Sequence, residues 1–403
     1  MMNNICEKNK CCGCQACANI CPKSAINMKE DEYGVKYPVV NNELCINCNM
    51  CKNVCPQINN VKTNNILNCY VADRKNQYKR LDSSSGGIAS VFYESFLKTK
   101  KNGVIFGVEF DNNQQAIFKQ TSAIEDIKKF KGSKYVQAEI GDLYIKVIEN
   151  LKLNKDVLIV GTPCQIAALN KILSLKKIST EKLLTIDLIC HGVSPSKYLK
   201  ENICYIKNKY NIKDIKKITF RSNRKYRNFH MYIESTNKKI YNRFSSEDPY
   251  FYAFLKGISL RENCYNCKYS NINRVADITI GDFIGIGKHN EFPKYEGNGY
   301  NASIILSNSI KGEKFIDEFK GEINLTKRSI EEALIEGISL REPFPKHKLR
   351  KKFLENYKKY GFVDTMYIIA GKELNSITRK EKILRPLKMK IANFIDRKKE
   401  KYE

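Results

Sequence analysis

Cys11-Cys12-Gly13-Cys14-Gln15-Ala16-Cys17-Ala18-Asn19-Ile20-Cys21-Pro22 and, 34 residues later, Cys45-Ile46-Asn47-Cys48-Asn49-Met50-Cys51-Lys52-Asn53-Val54-Cys55-Pro56 carry one spacing twice, C-x2-C-x2-C-x3-C-P. Three thiolates separated by two residues wrap one corner of a cubane, while the fourth, after a short helical turn, points towards a second one. On that geometry Cys11, Cys14, Cys17 and Cys55 hold one [4Fe–4S] cluster, and Cys45, Cys48, Cys51 and Cys21 hold another. Gly13 and the two prolines suit the tight turns this requires. Zinc sites pair two C-x2-C units across a longer gap, and a triple run ending in C-P has a different form.

The stretch resembles bacterial-type two-cluster ferredoxins, including short strand signals at 25–28 and 35–40. It departs from them after Pro56, where Gln57-Ile58-Asn59-Asn60 replaces the strand that closes the second half. Residues 57–68 are rich in Asn and Lys and lack periodicity, so a 1–60 module is expected to pass through a 61–68 linker into a second unit.

A chain of 403 residues leaves room for two or three domains, and 42% hydrophobic residues with aromatics spread throughout describe a folded protein. Residues 1–10 hold no apolar core of signal-peptide length, and no segment approaches the roughly 18 apolar residues of a membrane span. A soluble, cytoplasmic protein is the expectation. There, 16 cysteines point to metal or redox chemistry rather than disulfides. The formal charge of +27 invites a polyanion, but each four-thiolate cluster contributes about −2, and no nucleic-acid reader motif accompanies the charge. The composition is crowded with Lys, Asn and Ile, and no nucleic-acid partner is expected.

From Cys69 onward the pattern is α/β. Ser83-Ser84-Ser85-Gly86-Gly87 opens a helix through Ile88, Val91, Phe92 and Phe96, a turn that serves either as a plain N-cap or as a phosphate cradle. Residues 104–110 form a buried strand, and Lys131-Gly132-Ser133-Lys134-Tyr135 sets two cations beside a flexible turn. A strand at 157–160 runs into Gly161-Thr162-Pro163-Cys164-Gln165. Thr162 there suits an N-cap, Pro163 a first helical position, and Cys164 the first turn, where the helix dipole favours thiolate. A strand at 183–189 delivers Cys190-His191-Gly192, and Cys264-Tyr265-Asn266-Cys267 follows a further helix. These three places supply four thiols, enough for a third cluster beside the two-cluster module. Residues 276–283 read as a strand ending in a Gly281-Asp282 turn.

Taken in order, the double cysteine run, Ser85-Gly86-Gly87, Gly161 to Gln165, Cys190-His191-Gly192, Cys264-x2-Cys267 and Gly281-Asp282 resemble the coenzyme F420 hydrogenase/dehydrogenase beta-subunit family over residues 1–290. The resemblance implies a mixed α+β and α/β architecture, a small ferredoxin-like domain followed by a non-Rossmann α/β body that binds FAD. The absence of G-x-G-x-x-G agrees with it. It implies an oxidoreductase body in two parts, 69–150 and 151–345, and an electron route between a hydride donor or acceptor, FAD and iron–sulfur clusters. By position, Cys164, Cys190, Cys264 and Cys267 look like ligands of a cluster near the flavin. Ser84, Ser85, Gly86, Gly87, Lys131, Ser133, Lys134, Tyr135, Thr162, Gly281 and Asp282 look like flavin contacts. Cys6, Cys12, Cys69 and Cys204 are left as ordinary thiols. His191 and Asp282 stand where a proton can be held near the flavin, and no residue is singled out as catalytic.

The family implies a deazaflavin coenzyme, although relatives use other substrates and some lie in surface-polysaccharide pathways. A redox partner protein or a small-molecule donor or acceptor is expected. The alternative is a non-catalytic ferredoxin-type component of a larger redox complex. The resemblance does not reach 346–403, which reads as a basic helical extension. Its stripe of Leu384, Leu387, Ile391, Phe394 and Ile395 suits packing on its own domain or, alternatively, peripheral contact with a membrane.

Overall fold

The computed structural model describes residues 4–224, 228–292 and 301–375. The segment 379–401, with its apolar stripe, lies outside the described residues.

The two cysteine runs build two equivalent half-modules. Helical turns Ala16–Ile20 and Met50–Asn53 are each entered through a left-handed residue, Gln15 and Asn49, both at φ 58°. The hairpin Ile26–Glu30 with Lys36–Val40 pairs antiparallel, Ile26 opposite Val40. No third strand follows Pro56, as the sequence suggests. Residues 57–67 contain no helix or strand, yet they are laid against the body: Asn64 and Arg274 exchange backbone hydrogen bonds at 2.7 and 3.1 Å.

The body is one eight-stranded sheet that takes strands from both sides of residue 150. Ile278–Asp282, Leu183–Leu188, Asp156–Gly161 and Gly103–Phe110 lie side by side and parallel. Ala116–Thr121 extends one edge antiparallel. Ser303–Ser307, Asn68–Arg74 and Ile323–Arg328 extend the other. The parallel strands follow chain order without the reversal that marks a Rossmann sheet. Both faces are covered, which explains the unbroken apolar run Val157 to Val160. Val157 and Ile159 face the helices Leu143–Lys152 and Pro163–Leu175, while Leu158 and Val160 face the helix Ile88–Thr99.

A second sheet has His230–Ser235 between Ile215–Thr219 and Ile240–Phe244. It packs with the helices Ser196–Tyr210, Pro249–Leu255 and Arg350–Leu374 in a separate apolar core. The described part of the expected C-terminal extension is therefore a core element: Phe353 and Met366 are fully buried in it.

Candidate redox site

The C-terminal ends of the central strands open on a cavity of about 710 Å³, reached by Gly161, Ile189, Gly281 and Asp282. Ligands of open α/β sheets bind outside the carboxyl ends of the strands. Ten of the eleven residues expected to touch a flavin line it: Ser84, Ser85, Gly87, Lys131, Ser133, Lys134, Tyr135, Thr162, Gly281 and Asp282. Gly86 does not. It lies under the neighbouring strands, where a Cβ would stand 2.3 Å from Ala72 O, and its N–H donates to Ser303 Oγ at 3.0 Å.

The serine turn departs from an ordinary N-cap. Gly87, at φ 77°, is the cap of the helix Ile88–Thr99, and no side chain covers the first N–H groups. Ser84 Oγ instead accepts the Ser133 N–H at 3.0 Å and so joins two loops of the cavity wall. Ser83 Oγ is buried at the cavity edge with no hydrogen-bond partner. The orphan Ser83 hydroxyl and the uncovered helix N-terminus are donors of the kind that a phosphorylated cofactor requires, while the Ser85 hydroxyl is given to Ala302 O at 2.5 Å. Tyr135 and Phe254, stacked at 4.9 Å, supply an apolar wall suited to a planar ring. The residues present therefore fit FAD.

The two lysines act differently from what the sequence suggests. Lys131 Nζ donates to Lys79 O at 3.2 Å, and Lys134 Nζ caps the carbonyls of Lys129, Phe130 and Lys131 at 3.0 to 3.1 Å. Burial pushes the Lys134 ammonium down to about 7. The principal cation of the wall is one that sequence reasoning missed, Arg221, whose Nη1 lies 2.7 Å from Asp282 Oδ1. Asp282 ends a strand paired to Ser303 instead of forming a turn, and its carboxylate is engaged by Arg221. Burial lowers His191 to about 4. The neutral ring directs Nε2 to Phe254 O at 3.1 Å, so its one N–H is held by the protein.

Against this cavity lies a smaller one lined by Cys164, Cys190, Cys264 and Cys267, and the two share Thr162, Gln165, Cys190, His191, Gly192 and Val193. Local structure presents each thiol. Gln165 Oε1 accepts the Thr162 N–H at 2.8 Å and fixes the helix start that carries Cys164. Cys190 leaves the end of its strand, and a 3₁₀ turn Glu262–Asn266 carries Cys264. Arg274, buried against Asp187 at 2.8 Å, donates to Tyr269 O and Asn271 O and holds the loop after Cys267 to the strand before Cys190. The dipole alone does not ionise Cys164: the neighbouring Cys12 thiol and burial push it up, and burial pushes Cys190 up to about 12. Among the described residues no three His, Cys, Asp or Glu side chains converge on a single ion. A cubane, with one thiolate on each of four irons, needs them arranged around a cavity instead.

Cys21, Cys45, Cys48 and Cys51 likewise line one small cavity, with Cys48 exposed. Cys17 lies close to Cys11 and Cys55, and Cys14, expected on the same cluster, sits beside Cys12 and Cys17. Two cysteines left as ordinary thiols belong to these groups: Cys6 contacts Cys11 and Cys55, and Cys12 contacts Cys14 and Cys164. Cys12 and Cys14 also line the cavity of Cys164, so the module abuts the third thiol group directly. Cys69 is buried in a strand and Cys204 is exposed, apart from all three.

Residues 154–333 match the family described as the C terminus of the coenzyme F420 hydrogenase/dehydrogenase beta subunit, and residues 10–58 match the 4Fe-4S dicluster domain. No curated protein matches. Among solved structures, a chain of the F420-reducing [NiFe] hydrogenase complex from Methanosarcina barkeri, a xenon derivative, is similar at 17% identity. The similarity covers 66% of this chain and 83% of that one, with a TM-score of 0.44.

Proposed function

Because this chain belongs to the coenzyme F420 hydrogenase/dehydrogenase beta-subunit family and carries a 4Fe-4S dicluster domain ahead of the matched segment, we propose that it is an iron–sulfur flavoprotein oxidoreductase. In this reading it passes electrons between a hydride donor or acceptor, FAD and three [4Fe–4S] clusters. The deazaflavin F420 is one candidate substrate. The observation that carries the reading is the shared wall: the large cavity and the cavity of Cys164, Cys190, Cys264 and Cys267 have Thr162 and Cys190-His191-Gly192 in common.

When bound, a flavin supplies the exchange between a hydride and single electrons, which no side chain here can perform. The chain's own residues bind, orient and shield. The serine turn and the N-terminus of the helix Ile88–Thr99 take the phosphates. The paired Arg221 and Asp282 offer a fixed polar edge, and Tyr135, Phe254 and Phe344 keep water from the ring. Gly192 permits close packing between the two cavities: at φ 129° its Cβ position lies 2.8 Å from Leu260 and 3.3 Å from Cys264. Cys48, exposed at the far end of the module, marks where a redox partner exchanges electrons.

Anaerobic purification with iron, sulfide and flavin analysis tests the reading. It expects about twelve irons and one FAD per chain, since each cubane holds four irons. A Cys264→Ser variant should lose about four irons and keep its flavin. Eight irons without flavin in the unaltered chain would mean an electron carrier with no catalytic body.

A further inference from the structure

Arg261 is 1% exposed, at the junction between the N-terminal module and the body. Its guanidinium donates to Cys11 O at 2.9 Å, to Lys36 O at 3.2 and 3.3 Å, to Gln137 Oε1 at 2.9 Å and to Asn263 Oδ1 at 3.4 Å. Every acceptor is neutral, and among the described residues no carboxylate forms an ion pair with it. The other fully buried arginine, Arg274, has Asp187 at 2.8 Å. A buried cation that meets only neutral groups is costly unless a negative charge lies near it.

Arg261 joins two cysteine-bearing segments, and its guanidinium lies over the Tyr37 ring at 5.3 Å. Its side chain holds the Cys11 carbonyl, and its own carbonyl accepts the Cys264 N–H at 3.0 Å. Its N–H donates to Val193 O at 2.9 Å, just after Cys190-His191-Gly192. Room for it is made in the first cysteine run: a Cβ on Gly13 would stand 3.0 Å from Arg261 Nη1 and 2.6 Å from Gln137 Nε2.

We propose that Arg261 is the shared counter-ion of two clusters, the one on Cys11, Cys14, Cys17 and Cys55 and the one on Cys164, Cys190, Cys264 and Cys267. It thereby sets their potentials above that of the cluster on Cys21, Cys45, Cys48 and Cys51. The inference rests on the three-cluster reading above. A cubane with four thiolates carries about −2 oxidised and about −3 after taking one electron from an external reductant, with no bond formed or broken. A fixed positive charge therefore favours the reduced form. Arg261 acts on the clusters through the protein and is a positioning residue.

The test is an EPR-monitored reductive titration of the full chain, with iron counted in each variant. The signal of the second cluster is identified by its change in Cys48→Ser. Arg261→Gln should keep its iron and weaken reduction of the first and third clusters by about tenfold or more, 59 mV for a one-electron couple. The second cluster should not move, and Arg261→Lys should recover most of the difference. Should Gln cost the protein its iron, Gln137→Glu decides, because it sets a carboxylate against the guanidinium and should lower the same two potentials. Unmoved potentials in the variant that loads, an equal shift in all three clusters, or a Lys variant that behaves as Gln would each overturn the proposal. An iron count of eight in the unaltered chain would instead overturn the three-cluster reading.

Discussion

Asp82, just before the serine turn, anchors one wall of the large cavity. Its carboxylate receives Arg224 Nε at 2.8 Å, Arg224 Nη2 at 2.9 Å and Lys217 Nζ at 3.1 Å. Burial pushes the carboxyl up, but the two cations more than offset this and hold it well below its ordinary 3.8. A carboxyl depressed in the folded state contributes stability above its unfolded value and loses it as pH falls through the folded one. The anchor is therefore intact from neutral pH to about 4 and weakens below that. At pH 7 Asp82→Asn should cost roughly 1 kcal/mol, discounted because the carboxylate is 36% exposed and screened. Urea midpoints should show that deficit shrinking at pH 3, and a deficit that grew in acid would contradict the assignment. At this scale the sequence exposes residues whose partners are close in the chain, such as Thr162 and Gln165. It hides Arg221 and Arg261, since only the folded sheet brings Arg221 to Asp282, 61 residues on, and Arg261 to Cys11, 250 residues back. Cys6 and Cys12 were hidden for another reason: they fall outside the repeating C-x2-C register, and spacing alone gives them no role.

Elements were legible where burial on both faces leaves an unbroken apolar run, as at 157–160 and 183–188, and where a cap residue marks a helix start, as at Thr162. The edge strand Ala116–Thr121 and the strand Ile215–Thr219 are half-exposed, so their alternation is diluted by lysines and they carry little signal. The segment from 346 reads as helical, but its cations hide its role: apart from the buried Arg350, those of the helix Arg350–Leu374 lie on the outside of an element whose other face is core. Its helical backbone is interrupted at Ala370 and, more sharply, at Gly361, with φ 71° and ψ −174°. That backbone region is open to glycine alone. Glu201 locks the break, its Oε2 accepting the Phe362 N–H and its Oε1 accepting the Tyr357 hydroxyl, both at 2.7 Å. Gly361→Ala should destabilise the protein by about 1–3 kcal/mol, read as a lower urea midpoint. The iron content of the molecules that remain folded should be unchanged, because Tyr357, Phe362 and Glu201, which meet at the break, line neither thiol cavity.

At the scale of the whole molecule, the chain is not a ferredoxin tethered to an enzyme. Ala16, Ile20 and Val54 of the module share one apolar cluster with Tyr144, Val147, Ala167 and Leu169 of the body. Tyr144 Oη donates to Cys14 O at 3.0 Å and Tyr269 Oη to Pro56 O at 2.8 Å. Lys268 Nζ reaches Asn59 O at 3.2 Å, so the loop that bears Cys267 also holds the chain leaving the second cysteine run. The sequence, read as module plus linker, gives no hint of this, because the contacts join segments more than a hundred residues apart through side chains that look like ordinary core and surface. A shared core makes unfolding cooperative, since neither part can open without exposing the apolar face of the other. Calorimetry of the anaerobic, iron-loaded protein should therefore show one transition. Deletion of residues 1–60 should yield a body that aggregates on size exclusion, with Arg261 and the Ala167 and Leu169 surface uncovered. Two separated transitions, or a monomeric truncated body that retains flavin, would show that the junction is a docking contact and that electrons cross it between parts free to separate.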